Sequence, residues 1–547
     1  MRLKSRRSTC WTLLAVMVAS PGLAHACTSI IVTRGASKDG SVLVTYSADA
    51  PFMPRLLRVA GGTNPAGSMV DVKGWENDRI NGQIPQAPKT YTVVGLMNEN
   101  QVSMGETTTG GRRELVDRQG KLDYDALMSI TLQRARTARE AIKLVDQLAN
   151  EYGYGSSGET FSIADKNEAW LMELVGKGPG RKGVVWVAAR VPDGCITAHA
   201  NLSRITTFPL DDPENWLYSP DVVQFAIEKG YYSTGSGKPF SYRDAYHPNI
   251  GASQKRACAG RVWSIYRRSS PSSNFSDAWF RGAEGVEDYP LFIKPDKPLA
   301  VQDVMALMRD HYEGTPYDMT KGVDAGPFGS PVRFRDLTWT VNGQSYTWER
   351  AISTQQAGFV TVSQSRKNLP DSVGGVTWFT PDEASTSCFV PLYCNIDTLP
   401  EPFVLGDYKK FSFDSAWWVW NVVSNLTYDR WSRIYPDVQT AQRERETALL
   451  AMQPAIEETA AKLATTDPTL ARAFLTNYSV STGEAVFRRW KELAESILTR
   501  HVDGYVQQPG GRSRAPGYPA EWLERVVRER PEQFKLPVDR KSSETDH

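Results

Sequence analysis

Cys27 follows Ala24-His25-Ala26, and that placement gives one residue two chemical functions. Arg2, Lys4, Arg6 and Arg7 make a basic leader, and an apolar run from Trp11 to Ala19 leads to the A-x-A pattern. The three parts together read as a secretory signal peptide over 1–26, cut after Ala26. Cleavage there would make Cys27 the first residue of the mature chain, with a thiol and a free α-amine. An α-amine has a reference pKa of about 7.7–8.0, so near neutrality a useful fraction is unprotonated. It can take the thiol proton, directly or through a water, and so serve as the nucleophile's own base. Two other readings of Cys27 stand beside this one. It could carry the lipid of an anchored binding protein, although Ala24 stands where such a site wants Leu. It could also be half of a disulfide, since an exported chain meets an oxidising compartment.

Composition narrows the classes. The chain has 547 residues and a formal net charge of +1, so bulk electrostatics give no case for nucleic acid or an anionic membrane surface. No run after the leader approaches the ~20 apolar residues of a membrane span. Five cysteines follow residue 26: Cys27, Cys195, Cys258, Cys388 and Cys394. That is too few for a disulfide framework, though Cys388 and Cys394 are close enough in sequence to pair. No CxxC or HExxH is present and the six histidines are scattered, so a zinc enzyme is not expected.

The elements that must position Cys27 begin directly behind it. Ser29–Thr33 and Val42–Tyr46 are rich in β-branched residues and flank Lys38-Asp39-Gly40, which predicts a hairpin starting at the nucleophile. Residues 51–90 are loop-rich, and Tyr91–Met97 reads as a strand turning at Asn98-Glu99-Asn100. Two helices follow; the second opens on the capping pattern Thr137-Ala138-Arg139-Glu140 and carries Ile142, Val145, Leu148 and Ala149 on one face. Strands are predicted at 160–164, 169–175, 184–189 and 196–200. The order strands, helices, strands predicts an α+β fold with antiparallel sheets packed face to face and helices outside. From about 205 to 420 the chain is rich in aromatics, Pro and Gly, with few periodic elements. Helical spacing returns from about 437 to 503, and the last residues read as a flexible tail.

Several motifs, in order, carry a resemblance. Cys27-Thr28-Ser29-Ile30-Ile31-Val32 and Gly35–Ser41 come first, then Asn98-Glu99 with Gly105-Glu106-Thr107-Thr108. Gly153–Glu159, His199-Ala200-Asn201, Tyr312–Met319, Ala325–Pro331 and Glu349–Gln356 follow. The chain resembles peptidase family C69, cysteine-type dipeptidases of the N-terminal-nucleophile hydrolase class. The resemblance implies an αββα sandwich over 27–425; the helical spacing beyond it makes 426–505 a helical extension, and the charged, Pro-containing end makes 506–547 a flexible tail. It implies a dipeptidase acting on small peptides through a thioester, without a cofactor. An amidase or N-acyl hydrolase on the same scaffold is the alternative. The oligomeric state is left open, with a homo-oligomer as one option. Export through the leader implies a periplasmic or extracellular enzyme.

The resemblance also assigns site residues. Asp49, at the end of the second strand, matches the family aspartate that would orient the α-amine or thiol. Asn201 corresponds to an asparagine whose side-chain amide helps to hold the oxyanion, with a second donor from the backbone of Gly105–Thr107. Related amidases carry Arg three residues before the aspartate; here that place is Tyr46, so the arginine does not carry over. Arg261, in Lys255–Arg261, is the candidate for the missing charge. His199 shares a strand face with Asn201 and is read as a packing or hydrogen-bonding residue. Cys195, on the same face, is read as a small buried one.

Overall fold

A computed structural model describes residues 27–50, 52–73, 79–508 and 510–536. The leader read at 1–26 and the last part of the tail, 537–547, lie outside the described residues. The fold is α+β, built on two large antiparallel sheets.

The first hairpin pairs β1 (Ser29–Val32) with β2 (Val42–Asp49). The next stretch holds the short strands β3 (Arg58–Val59), β4 (Val93–Val94) and β5 (Met97–Asn98), and then β6 (Ser103–Gly110). Helices α1 (Tyr124–Arg134) and α2 (Ala138–Tyr152) follow. Each has a side-chain cap: Asp123 accepts from the N–H of Ala126, and Thr137 from that of Glu140. The Glu140 carboxylate turns to the N–H of Arg136 and not to that of Thr137, so only half of the predicted capping box forms. Strands β7 (Gly158–Ala164), β8 (Ala169–Gly176), β9 (Val184–Arg190) and β10 (Ile196–His199) come next, and β11 (Trp216–Tyr218) closes that run. A π-helical turn at Lys255–Ala259 leads into α3 (Gly260–Ser269).

The region read as irregular contributes half of one sheet. It supplies β12 (Ala357–Ser365), β13 (Gly375–Pro381) and β14 (Val390–Tyr393). The six-stranded sheet runs β10-β1-β2-β12-β13-β14, and the eight-stranded sheet runs β11-β9-β8-β7-β6-β5-β4-β3. Both faces of β12 are buried, so its residues show no inside–outside alternation for a sequence pattern to detect. The sheets meet where β6 and β7 pack on β1 and β2.

Helices α1 and α2 pack on the eight-stranded sheet; Ile142, Val145, Leu148 and Ala149 of α2 are buried there. Three C-terminal helices pack as a group whose members touch β13 and β14: α4 (Ala416–Asp429), α5 (Trp431–Thr466) and α6 (Pro468–Arg500). Helix α6 starts on the cap Asp467 with Pro468 at its first position. The helical part thus begins at Ala416, ahead of the 426 read from sequence. In the tail, Val506–Gln507 pairs with Ser513–Arg514, and Ala520–Glu529 is a helix. Cys388 and Cys394 are buried and unpaired, so the disulfide that their spacing allows does not form. No described helix is long and apolar enough to cross a membrane.

Candidate active site

Antiparallel pairing on both sides of β1 builds the site. The start of β1 lies beside the end of β2 and the end of β10: Thr28 bridges Ser47, and Ser29 pairs with His199. Cys27 precedes β1, Asp49 ends β2 and Asn201 follows β10, so three residues distant in sequence share one corner. Cys27 is 1% exposed. Its backbone nitrogen donates to Asn201 Oδ1 at 2.9 Å.

Asn201 is fixed at both ends of its amide. Nδ2 donates to the carbonyl oxygen of Thr108 at 2.8 Å, and Oδ1 also accepts from Arg261 at 2.9 Å. Its φ of 59° is left-handed, a conformation that Asn tolerates better than most residues. Arg261 is completely buried at the start of α3. It donates to the carbonyl oxygens of Ala257, Cys27 and Ala200, and to Thr28 Oγ1, at 2.7–3.2 Å. Its guanidinium fork therefore clamps the start of β1 to the end of β10. It touches the backbone of Cys27, and no hydrogen bond links it to the sulfur.

Asp49 accepts from Arg350 at 3.0 Å through Oδ2, and both side chains are buried. Asp49 Oδ1 has no hydrogen-bond partner among the described residues. Burial pushes its carboxyl up to about 7, against the pull of Arg350 and then Arg261. Arg350 was not singled out from sequence, although the segment Glu349–Gln356 that contains it was.

Glu106 is the larger omission. Gly105–Thr107, the stretch the resemblance offers for a backbone donor, runs in the β6–β7 ladder, and the Glu106 side chain within it meets Cys27. Oε1 accepts from Cys27 Sγ at 3.2 Å and from the Tyr46 hydroxyl at 2.6 Å. Tyr46 therefore engages a carboxylate where related amidases have an arginine. Gly105 makes the approach feasible: a Cβ there would sit 3.0 Å from the Thr45 carbonyl oxygen and 3.2 Å from Tyr46 Cβ. Thr107 bonds His199 Nδ1 at 2.7 Å, and Ser162 bonds Nε2 at 2.7 Å. Burial lowers His199 to about 3, so it sits as a neutral ring with both nitrogens engaged. Cys195 is buried in a separate apolar cluster with Ile31, Val42 and Val44.

The electrostatics favour a protonated thiol at rest. Burial, then the negative charges of Glu106 and Asp49, push Cys27 well above its usual value, while the Asp49 backbone N–H pulls the other way. Attack by such a sulfur needs a base that removes the proton as the bond forms. No group of described residues could hold a metal ion.

The comparisons agree with the motifs. A model of "Peptidase family C69" matches residues 57–444, a stretch that starts after Cys27 and Asp49. "Dipeptidase A" of Lactobacillus helveticus is 24% identical over 453 residues, covering 77% of this chain and 86% of that protein. "Probable dipeptidase" of Latilactobacillus sakei is 24% identical over 458 residues, 80% of this chain and 89% of its own. "Probable dipeptidase" of Salmonella dublin is 25% identical over 410 residues, 69% and 83% respectively. With most of its length matched, and with the motifs around its buried thiol in the family's order, the chain belongs to peptidase family C69 and is a peptide-bond hydrolase.

Proposed function

We propose that this protein is an exported cysteine-type dipeptidase of the N-terminal-nucleophile class, armed when the leader is cut after Ala26. The single observation that carries the proposal is the 2.9 Å hydrogen bond from the Cys27 nitrogen to Asn201 Oδ1. Once the leader is gone, that nitrogen is an α-amine held beside its own thiol. Its lone pair takes the thiol proton as sulfur attacks the scissile carbonyl. The amine then delivers the proton to the leaving nitrogen, which departs as the thioester forms. Water, activated by the same amine, hydrolyses the thioester and restores the thiol.

In this scheme Asn201 has two tasks. Its carbonyl orients the amine, and its NH₂ donates to the developing oxyanion without bringing a charge. Arg261 is a positioning residue that holds Cys27 and Asn201 in register. Asp49, whose charge is felt at Cys27, is given the task of orienting the amine. The facing sheets with helices packed on each support the αββα assignment. The relatives' printed names support dipeptides as substrates. The position of Cys27 in the fold, its nitrogen on Asn201 and its sulfur on Glu106, favours the hydrolase over a lipid anchor, whose sulfur carries acyl chains out to a bilayer.

The test compares protein beginning at Cys27 with protein carrying one extra residue that cannot be trimmed. Turnover of a dipeptide panel is expected only from the first. Equal turnover by both would overturn the α-amine mechanism.

A further inference from the structure

Glu106 is a buried carboxyl with no lysine or arginine against it among the described residues. Its polar neighbours among the described residues are Tyr46, Cys27 and the carboxyl of Glu159. Its Oε2 accepts from no hydroxyl, amide or cationic group among the described residues, and its side chain is completely buried beside the Glu159 carboxyl. Thr108 stands directly opposite Glu159 in the β6–β7 register, on the strand face that also carries Glu106. The buried Thr108 Oγ1 likewise has no partner among the described residues. A buried carboxylate is costly unless a positive or donor group meets it. This corner therefore presents an acceptor 3.2 Å from the sulfur and, among the described residues, no lysine or arginine side chain to meet it.

We propose that Glu106, with Thr108 beside it, receives the α-ammonium of the substrate's first residue, so that a free amino terminus is what the enzyme recognises. The proposal rests on the dipeptidase reading above and assigns the residue behind that selectivity. The distances allow it. In a peptide the α-nitrogen lies about 2.5 Å from the carbonyl carbon of its own residue, from standard bond lengths. A carbonyl poised for attack sits about 3–3.5 Å from the nucleophile. Glu106 Oε1 is 3.2 Å from Cys27 Sγ. An ammonium placed at a charged hydrogen-bond distance of about 2.7–2.9 Å from this carboxylate closes the triangle of sulfur, carbonyl and nitrogen. Its three N–H groups need three acceptors, and Glu106 Oε2 and Thr108 Oγ1 are two.

The contact also acts on the nucleophile. The negative charge of Glu106 is one of the causes that keep the thiol protonated. A bound ammonium cancels that charge, so sulfur gives up its proton more readily with substrate seated than in the empty site. The hydrolysis needs no additional reactant for this.

The experiment uses protein beginning at Cys27 and two probes, Ala-Ala and N-acetyl-Ala-Ala. Rates are measured for the parent, Glu106→Gln and Glu106→Asp. Binding is measured by calorimetry with each Glu106 form carrying Cys27→Ala. The parent should favour Ala-Ala by about 10²-fold or more in kcat/KM. In Glu106→Gln the ratio between the probes should collapse toward one, and Glu106→Asp, which keeps the charge, should recover part of it. Melting curves confirm that each variant is folded. A parent ratio near one, or a Glu106→Gln loss equal for both probes, overturns the proposal; the second result would assign Glu106 to the nucleophile alone. Binding separates this idea from the function it rests on. Glu106-dependent binding of Ala-Ala without cleavage of any dipeptide would overturn the dipeptidase reading and keep the ammonium site. Cleavage with a preference independent of Glu106 would do the reverse, and a protein that neither binds nor cleaves Ala-Ala overturns both.

Discussion

The two carboxyls beside Cys27 are housed in opposite ways. Asp49 sits with Arg350 at 3.0 Å and in the field of Arg261, on the side where the strand ends meet. Glu106 sits on the facing sheet among hydroxyl, thiol and carboxyl groups. Burial raises the pKa of both. Only for Asp49 do fixed positive charges oppose it. A charge already matched within the fold suits a part of the machine, and a charge left for something else to match suits a receptor.

The largest effect removes what lies between the two sides. Cys27→Ala should lower turnover by about 10⁴-fold or more while the circular dichroism spectrum stays unchanged. Full activity in the folded variant would end the assignment of the nucleophile, and with it the meaning of the comparison.

Next comes Asn201→Ala, on the side with the cations. An oxyanion donor meets charge that exists only in the transition state. Steady-state kinetics should therefore show kcat and kcat/KM falling together by about 10²–10³-fold. A rise in KM with kcat maintained would instead make Asn201 a ground-state binding residue.

Stability then sharpens the contrast directly. Asp49→Asn takes from Arg350 the carboxylate beside it, whereas Glu106→Gln removes a buried charge that no arginine or lysine balances. By denaturant melts at pH 8, Glu106→Gln should be the more stable of the two by about 2 kcal/mol. The gap should close as pH falls. Both native pKa values lie above their reference values of 3.8 and 4.5, so each group's contribution is fully present below its reference value and lost as pH rises through the native one, about 7 for Asp49. Below pH 4 both carboxyls are protonated in the parent, and neither substitution then removes a charge. A gap of equal size at both pH values would show that charge is not what separates the two sides.

A separate effect, on stability in acid alone, belongs to a group outside the contrast. His199 is neutral in the fold, with a native pKa near 3 against a reference of 6.5. Its contribution is therefore complete above pH 6.5 and is lost as pH falls toward 3, by about 1.4 kcal/mol for each pH unit. His199→Gln should flatten the acid limb of the stability curve in that window. An unchanged limb would mean that the ring takes up its proton without unfolding.

Cys27 was legible from the A-x-A pattern before it, and Asp49 and Asn201 only through the resemblance; the structure sets all three at strand boundaries. Antiparallel order alone then brings those boundaries together. Arg261 was legible as a charge and not as a clamp, because its contacts are carbonyl oxygens that no side-chain pattern records. Glu106 had a signal that was passed over. A glutamate inside Ser103–Gly110, a strand with almost every residue buried, is costly unless the site gives it a task. Arg350 carries the same signal in weaker form. Strands β12 and β13 were hidden for a different reason: with both faces covered, the period-two pattern disappears.

The corner formed by the starts and ends of strands has a thermal consequence. Cys27, Asp49 and Asn201 are ordered by ladders that the sheet needs in any case, so holding them in place adds little to the conformational entropy lost on folding. The amides around Thr28, Ser47 and His199 should exchange with solvent only through openings as rare as global unfolding. On heating, activity should then persist up to the melting transition and disappear with it, with no earlier loss of a softer site.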